Sequence, residues 1–599
     1  MYRGVNFQSN AKDVNMKRMI MMLSVFCLAG SSGLFGQGSE KYTAKLQRAL
    51  EQAAPQDIMT AWVYFSDKGA DLDGKLQAAA ANLSERAYQR RLRNRGADNL
   101  VDHHDVPVYA PYYHAVREKV SRIRHKSRWL NALSVEVAKT DLPAIAQLPF
   151  VSKIDLVVQT YSSLPDEAIL NSGSNVNPPS NNGPQQIHSL NYGPSFAQND
   201  QIGATLMHDL GFNGSGVLVA MLDAGFNNLQ HEAMDHLNIL ATWDFVNGDS
   251  IVSDEIGQMG TGNHGTLTLS ALAGFHEGQL VGPGYGADFV LAKTENTDWE
   301  HNVEEDAWVA GAEWADSLGA DIISSSLAYR DFDPGQISYT WQDMDGNTAV
   351  STIGADLAAS RGILVVNSAA NEGPGATSIW APADGDSVLA IGAVDESGFI
   401  AGFSSRGPSA DGRIKPDVCA RGVGTVSCSP YNPSGYTTAS GTSLSCPLVA
   451  GAAAQLLQAN PNLTNMDMIE LLHNTADRAA NPDNDYGWGI INVHDAYLAS
   501  LTGIPDDEGA VAAEFQLYPA YPNPFNPTTT IRYTLPEAAS LQLNVYNPLG
   551  QKVATLADGV QPAGEYRVSW DAAGLASGVY YITLTSGREH AVRKAVLLK

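Results

Sequence analysis

Positive charge is what this 599-residue chain most lacks. Lysine and arginine total 37 against 64 aspartates and glutamates, for a formal net charge of −27. A nucleic-acid binder needs a basic surface to displace phosphate counterions, so that class is excluded. Cysteine is scarce too: there are four, with no CxxC pair and no Cys/His spacing that suits a zinc site. Beyond the N-terminal region no stretch reaches 18 uninterrupted apolar residues, so no transmembrane segment is expected. What the chain does have is apolar material, 44% of its residues against 17% charged. That excludes global disorder, and the length predicts three or four domains.

The deficit of positive charge is uneven. From Arg86 to Arg128 there are 11 basic and 4 acidic residues; from 201 to 500 there are 8 basic and 37 acidic. A basic front beside an acidic middle predicts two parts that attract one another. At the start, Met16-Lys17-Arg18, the apolar run Met19–Gly30 and small residues to Gln37 have the order of a secretory signal peptide over 1–37, with Met16 the better-fitting start. Cys27 falls inside that run. The remaining three, Cys419, Cys428 and Cys446, are an odd number, which in an exported chain predicts a free or intermolecular thiol. Cys419 and Cys428 are near enough in sequence for a loop disulfide.

Residues 38–160 read as a small α+β domain, with strands at Ile58–Phe65, Trp129–Val137 and Val151–Val158 and helices at Leu83–Arg95 and Leu142–Leu148. A Ser/Asn/Pro/Gly-rich linker covers 161–194. Over 195–502, apolar runs at Val217–Leu222, Phe289–Ala292, Ile322–Leu327, Ile363–Val366 and Val388–Val394 alternate with helical segments at Val303–Leu318, Thr352–Arg361 and Ser443–Ala459. Buried strands alternating with helices predict an α/β domain with a parallel sheet covered on both faces. A linker at 503–512 leads to 513–599, where short alternating strands predict a small all-β sandwich.

Three residues of the α/β part carry chemistry. Asp223 ends an apolar strand; His264 opens a small-residue helix in Asn263-His264-Gly265-Thr266; Ser443 stands in Ser440-Gly441-Thr442-Ser443-Leu444-Ser445-Cys446-Pro447. Alone, Asp223 reads more readily as a cap and His264 as a structural residue, and Ser443 could be a plain N-cap. Pro447 fits the first turn of a helix, which places Ser443 at a helix N-terminus, where N–H groups and the dipole favour developing negative charge. Asp, His and Ser in this order and with these flanks resemble the subtilisin-like serine proteases, or subtilases; subtilisin is the standard example of that order. Gly319–Leu327, Val365–Gly373, Phe403–Pro408 and Lys415–Asp417 are similar to other segments of that family. The chain departs from it at Ala224, Leu267, Ala370, Ser445-Cys446 and Ala420-Arg421-Gly422.

The resemblance implies a subtilisin-like fold and a secreted or surface-attached serine endopeptidase of proteins or peptides. Asp223, His264 and Ser443 would form its triad, and Asn371 its oxyanion donor. Substrate would lie against Ser324, Ser326, Leu327, Ala328, Ala369 and Ala370, among which no charge stands to select the side chain preceding the scissile bond. No cofactor is implied for the chemistry; structural calcium is common in the family, with Asp249/Asp254/Glu255 and Asp483/Asp485 as candidate acidic clusters. By position and pattern the 38–160 domain resembles an inhibitory propeptide. Tyr518-Pro519, Tyr521–Pro527, Val545–Gln551 and Gly578–Tyr581 resemble the C-terminal sorting domain of type IX secretion, which makes that machinery a partner. The rival reading is a catalytically silent subtilase fold acting as an adhesin or binding module.

Overall fold

The computed structural model describes residues 39–159, 188–333, 336–501 and 515–597, apart from 519, 521, 522, 524, 526 and 588. The signal peptide with Cys27, residues 161–187 of the first linker and the 503–512 linker lie outside them. The chain divides into two compact units, Met1–Asp67 with Ala110–Arg124 and Leu133–Gln159, and Lys68–Tyr109 with His125–Ala132 and Thr160–Lys599. The division cuts across the 38–160 domain expected from sequence.

In the first unit, β1 (Ile58–Phe65) pairs antiparallel with the strand Val151–Gln159. The strand Arg122–Ser127 was not expected, because its sequence is almost wholly polar and offers no apolar alternation. In the second unit, α1 (Glu85–Arg95) begins at Ser84, whose hydroxyl accepts the Ala87 N–H as an N-cap.

A seven-stranded sheet organises the second unit. Its strands are β2 (Leu218–Asp223), β3 (Asn238–Asp244), β4 (Asp288–Lys293), β5 (Ile322–Ser325), β6 (Leu364–Ser368), β7 (Val388–Val394) and β8 (Val418–Arg421), in the spatial order β8-β7-β6-β5-β2-β4-β3. Every neighbouring pair is parallel. Alternation along the strands feeds two cores, one on each face. Val219, Met221, Leu291 and Val366 pack on one side with Leu269, Val449 and Leu456. Leu218, Ala220, Leu222, Val290 and Val365 pack on the other with Trp308, Val309 and Ala358. The covering helices are α2 (Asn263–Ala273), α3 (Val303–Leu318), α4 (Val350–Ala359) and α5 (Thr442–Ala459). The order reverses at β2, which has β4 on one side and β5 on the other; a crevice beyond the carboxyl ends of the strands forms at such a point.

The C-terminal strands form a three-stranded and a four-stranded sheet whose inward residues, among them Ile531, Tyr533, Leu543, Val545, Ile582 and Leu584, make a separate core. Cys419, Cys428 and Cys446 are all buried free thiols, so the loop disulfide that sequence proximity allowed is not formed.

Candidate active site

Asp223 is the last residue of β2 and is fully buried. Its Oδ1 accepts the Ala224 N–H at 2.8 Å and lies 2.6 Å from His264 Nδ1. Its Oδ2 accepts the Thr268 hydroxyl at 2.8 Å. Thr268 lies one helical turn beyond His264 on α2, so a single helix face supplies both partners of the carboxylate. Sequence reading missed Thr268; its spacing from His264 was the available signal. The close approach depends on glycine: a Cβ on Gly265 would stand 2.1 Å from the Gly225 carbonyl oxygen, so any larger residue forces α2 away from the end of β2. With Nδ1 bound to a carboxylate, Nε2 is left as the basic nitrogen. Burial alone would lower the imidazole pKa; the Asp223 charge and hydrogen bond, aided by the Glu295 charge, outweigh it and raise the pKa above 6.5.

Ser443 is the second residue of α5. Pro447 lies in the second turn of that helix rather than the first, and the displacement has a consequence. Lacking an N–H, Pro447 cannot bond the carbonyl four residues back. That carbonyl belongs to Ser443 and instead accepts the Ser326 hydroxyl at 2.9 Å, while Ser443 Oγ donates to the Ser326 carbonyl at 3.3 Å. The helix entry is thus tied to the segment after β5 by reciprocal hydrogen bonds. At the same entry, Asn371 Oδ1 accepts the Thr442 N–H at 2.9 Å and the Thr442 hydroxyl at 3.0 Å, which turns its amide nitrogen into the remaining donor. Gly441 has φ +154°, and a Cβ there would stand 3.6 Å from Asn371 Nδ2 and 3.7 Å from Ser443 N. The two N–H donors therefore flank one space. Ala370, immediately before Asn371, is a non-glycine residue at φ 82°.

His264, Ser443 and Asn371 line one cavity of about 310 Å³. Of the expected substrate contacts, Ser326, Leu327, Ala328 and Ala370 line it as well. Ser324 and Ala369 do not. Ser324 lies within β5, paired on both sides with Met221 and Val366, and its buried hydroxyl faces Cys446 Sγ at 3.9 Å. Its backbone is therefore taken up by the sheet, and a substrate strand has only the stretch past Ser325. Ala369 packs in a small core with Ile379, Ala383 and Ala390, while its neighbours Ser368 and Ala370 face the cavity. The remaining walls escaped sequence reading: Ala224, Thr297, Trp380, Glu295 and Glu372. The two glutamates give the cavity the charge that the matched segments lack. Glu295 accepts the Tyr329 hydroxyl at 2.9 Å, and burial pushes its pKa up to about 7.

The acidic clusters considered for calcium do not fit a cation. Asp249 accepts the Ile251 N–H and the Gln258 amide, and Asp254 accepts the Gly262 N–H and the Asn227 amide. Asp483 accepts two backbone N–H groups, and Asp485 lies 3.2 Å from Arg406. Oxygens needed for a metal shell are already committed to internal donors.

Residues 214–489 match the model of the subtilase family, residues 60–172 that of the Bacteroidota peptidase S8 propeptide domain, and residues 519–598 that of the secretion system C-terminal sorting domain. Serine protease AprX of Bacillus subtilis (strain 168) is 26% identical over 400 residues, covering 63% of this chain and 82% of that protein. Subtilisin amylosacchariticus of Bacillus subtilis subsp. amylosacchariticus is 32% identical over 317 residues, covering 52% and 72%. A solved protease structure from Pseudoalteromonas arctica PAMC 21717 aligns over 52% of this chain and 100% of that one, at 23% identity and a TM-score of 0.41. Among the described residues no helix is long and apolar enough to cross a membrane.

Proposed function

The chain belongs to the subtilase family of serine endopeptidases, and on that premise we propose that Asp223, His264 and Ser443 are its catalytic triad, with Asn371 Nδ2 and the Ser443 N–H as oxyanion donors. The observation that carries this reading is the 2.6 Å contact between His264 Nδ1 and Asp223, made at the edge of a cavity that also holds Ser443 and Asn371.

In the reaction Ser443 Oγ attacks the peptide carbonyl carbon while His264 Nε2 takes the hydroxyl proton. The imidazolium is stabilised by Asp223, which is itself held by Thr268 and the Ala224 N–H. The carbonyl oxygen gains the negative charge between Asn371 Nδ2 and Ser443 N. His264 then protonates the departing amine, and water hydrolyses the acyl-enzyme by the same steps in reverse. This chemistry requires no cofactor. Substrate backbone would extend along Ser326–Ala328, and a structural calcium, if bound, would need residues other than the two clusters weighed above.

The sorting domain makes the protein a secreted or cell-surface one. Type IX machinery would read that domain, and the propeptide would act as an inhibitor and folding aid. Support for the latter comes from Asp316 on α3, which is bonded by Arg90, Arg91 and Arg128, all three within the stretch matched as propeptide. The uneven charge along the sequence has here a physical counterpart. A silent adhesin finds no support in the relatives.

The test is kinetic. With a peptide substrate, Asn371→Ala is expected to lower kcat about 10²–10³-fold at little-changed KM, because the lost donor acts on the transition state. A change confined to KM would assign Asn371 to ground-state binding instead.

A further inference from the structure

The titratable side chains lining the cavity are His264, Glu295 and Glu372, and neither lysine nor arginine lines it. Glu372 is exposed, where water screens its charge. Glu295 is only 9% exposed and stands two residues beyond the end of β4. The Tyr329 hydroxyl donates to its Oε2, and Glu304 shares a side-chain hydrogen bond with it. A buried carboxylate is costly unless a cation or several donors compensate it, and among the described residues no basic side chain forms an ion pair with Glu295. The groups that face it supply no lysine or arginine. Asp223 and His264 adjoin it from β2 and α2, Glu300 and Glu304 from the entry and first turn of α3, and Tyr329 from the segment after β5. Three of these five are carboxyl groups; burial first and then mutual repulsion raise those of Glu300 and Glu304, and Glu295 holds its own proton up to about pH 7, by burial first and then by the Asp223 charge.

We propose that Glu295 is a specificity-determining residue that gives the cavity a subsite, next to His264, for a cationic substrate side chain, lysine or arginine. The ligand class follows from the triad reading, on which this inference rests: what enters this cavity is a peptide. Its ammonium or guanidinium would supply the counter-charge that the protein omits, and Leu327 and Trp380 offer apolar wall to the methylene stem. Because the carboxylate must be ionised to attract the cation, selectivity, the ratio of kcat/KM for basic over neutral sequences, rises as pH passes 7, on top of the rise that deprotonation of His264 gives to every sequence.

The experiment uses the mature protease and a mass-spectrometric peptide library with Lys, Arg, norleucine, Gln or Glu at each position flanking the scissile bond. Labelling of the wild type by a fluorophosphonate is checked first. One position on the acyl side is expected to favour Lys or Arg over norleucine by about tenfold in kcat/KM, the effect of a charged hydrogen bond, with a larger ratio at pH 8 than at pH 6. E295Q should lose that preference and its pH dependence at that position alone, and E295D should restore part of both. A labelled wild-type enzyme with no basic preference, a preference unchanged from pH 6 to 8, or one that survives E295Q overturns the proposal. If E295Q does not fold, the wild-type pH comparison decides. Absence of labelling in the wild type would instead refute the triad reading beneath it.

Discussion

Single residues in this site carry strain and space that can be tested one at a time. Ala370 holds φ 82°, in the left-handed region that favours glycine. A left-handed alanine costs about 1–2 kcal/mol, while glycine loses about 0.4–1 kcal/mol through the unfolded chain. Ala370→Gly should therefore raise stability by about 0.5 kcal/mol in urea unfolding of the Ser443→Ala protein; a loss of stability would mean that the Ala370 methyl has a packing role that exceeds its strain. Gly441→Ala should act on rate instead. Its methyl would intrude between the two proposed oxyanion donors, so kcat should fall about 10²–10³-fold; near-normal kcat would place the oxyanion elsewhere. The raised His264 pKa fixes a sign as well. The base must be neutral, so kcat/KM should fall as pH drops through a value above 6.5. Asp223→Asn should move that limb down and cost about 10⁴ in kcat. The proposed triad was legible at this scale because each member sits in a short local motif. Glu295, Glu372 and Trp380 were not, since a lone carboxylate after a strand looks like any solvated one until folding brings loops from distant parts of the chain to one cavity.

Among the elements, α3 was legible at its full length, Val303–Leu318, because an apolar stripe runs along it to a terminal glycine. The edge strand β3 was missed: it pairs on one side only, its outward residues are half-exposed, and Asn238 and Thr242 interrupt any alternation. Serines 324 and 326 mark the same limit, since their spacing gives no hint that the strand ends between them and leaves one in the sheet and the other in the cavity. A further element-level consequence concerns α1 and α3. Arg90 and Arg91 are almost fully buried and share Asp316, whose carboxyl would be raised by burial but is held well below the usual range by these arginines. Asp316→Ala should destabilise the unprocessed Ser443→Ala protein by about 3–5 kcal/mol, the cost of stranding buried charge. A loss under 1 kcal/mol would show that water reaches those guanidinium groups.

For the whole molecule, acid stability has an identifiable source. Asp417 lies 2.7 Å from Lys415 and 3.5 Å from His473. Burial alone would raise its pKa, but these partners lower it from 3.8 to about 2. The stabilisation is therefore complete above pH 3.8 and disappears as pH falls through 2, amounting to about 2 kcal/mol. Urea unfolding between pH 5 and 2 should show that extra slope in the wild type and not in Asp417→Asn; equal slopes would contradict the assignment. The C-terminal sandwich has its own core, so removing 513–599 should leave an active protease that its native host fails to export. The central claim, that Ser443 is the nucleophile of a subtilase, is tested most directly by treating the mature protein with a fluorophosphonate and mapping the adduct by mass spectrometry. The account predicts one adduct, on Ser443, which is lost in Ser443→Ala and slowed in His264→Ala. A folded mature protein that takes no label, or carries it on another serine, would contradict it.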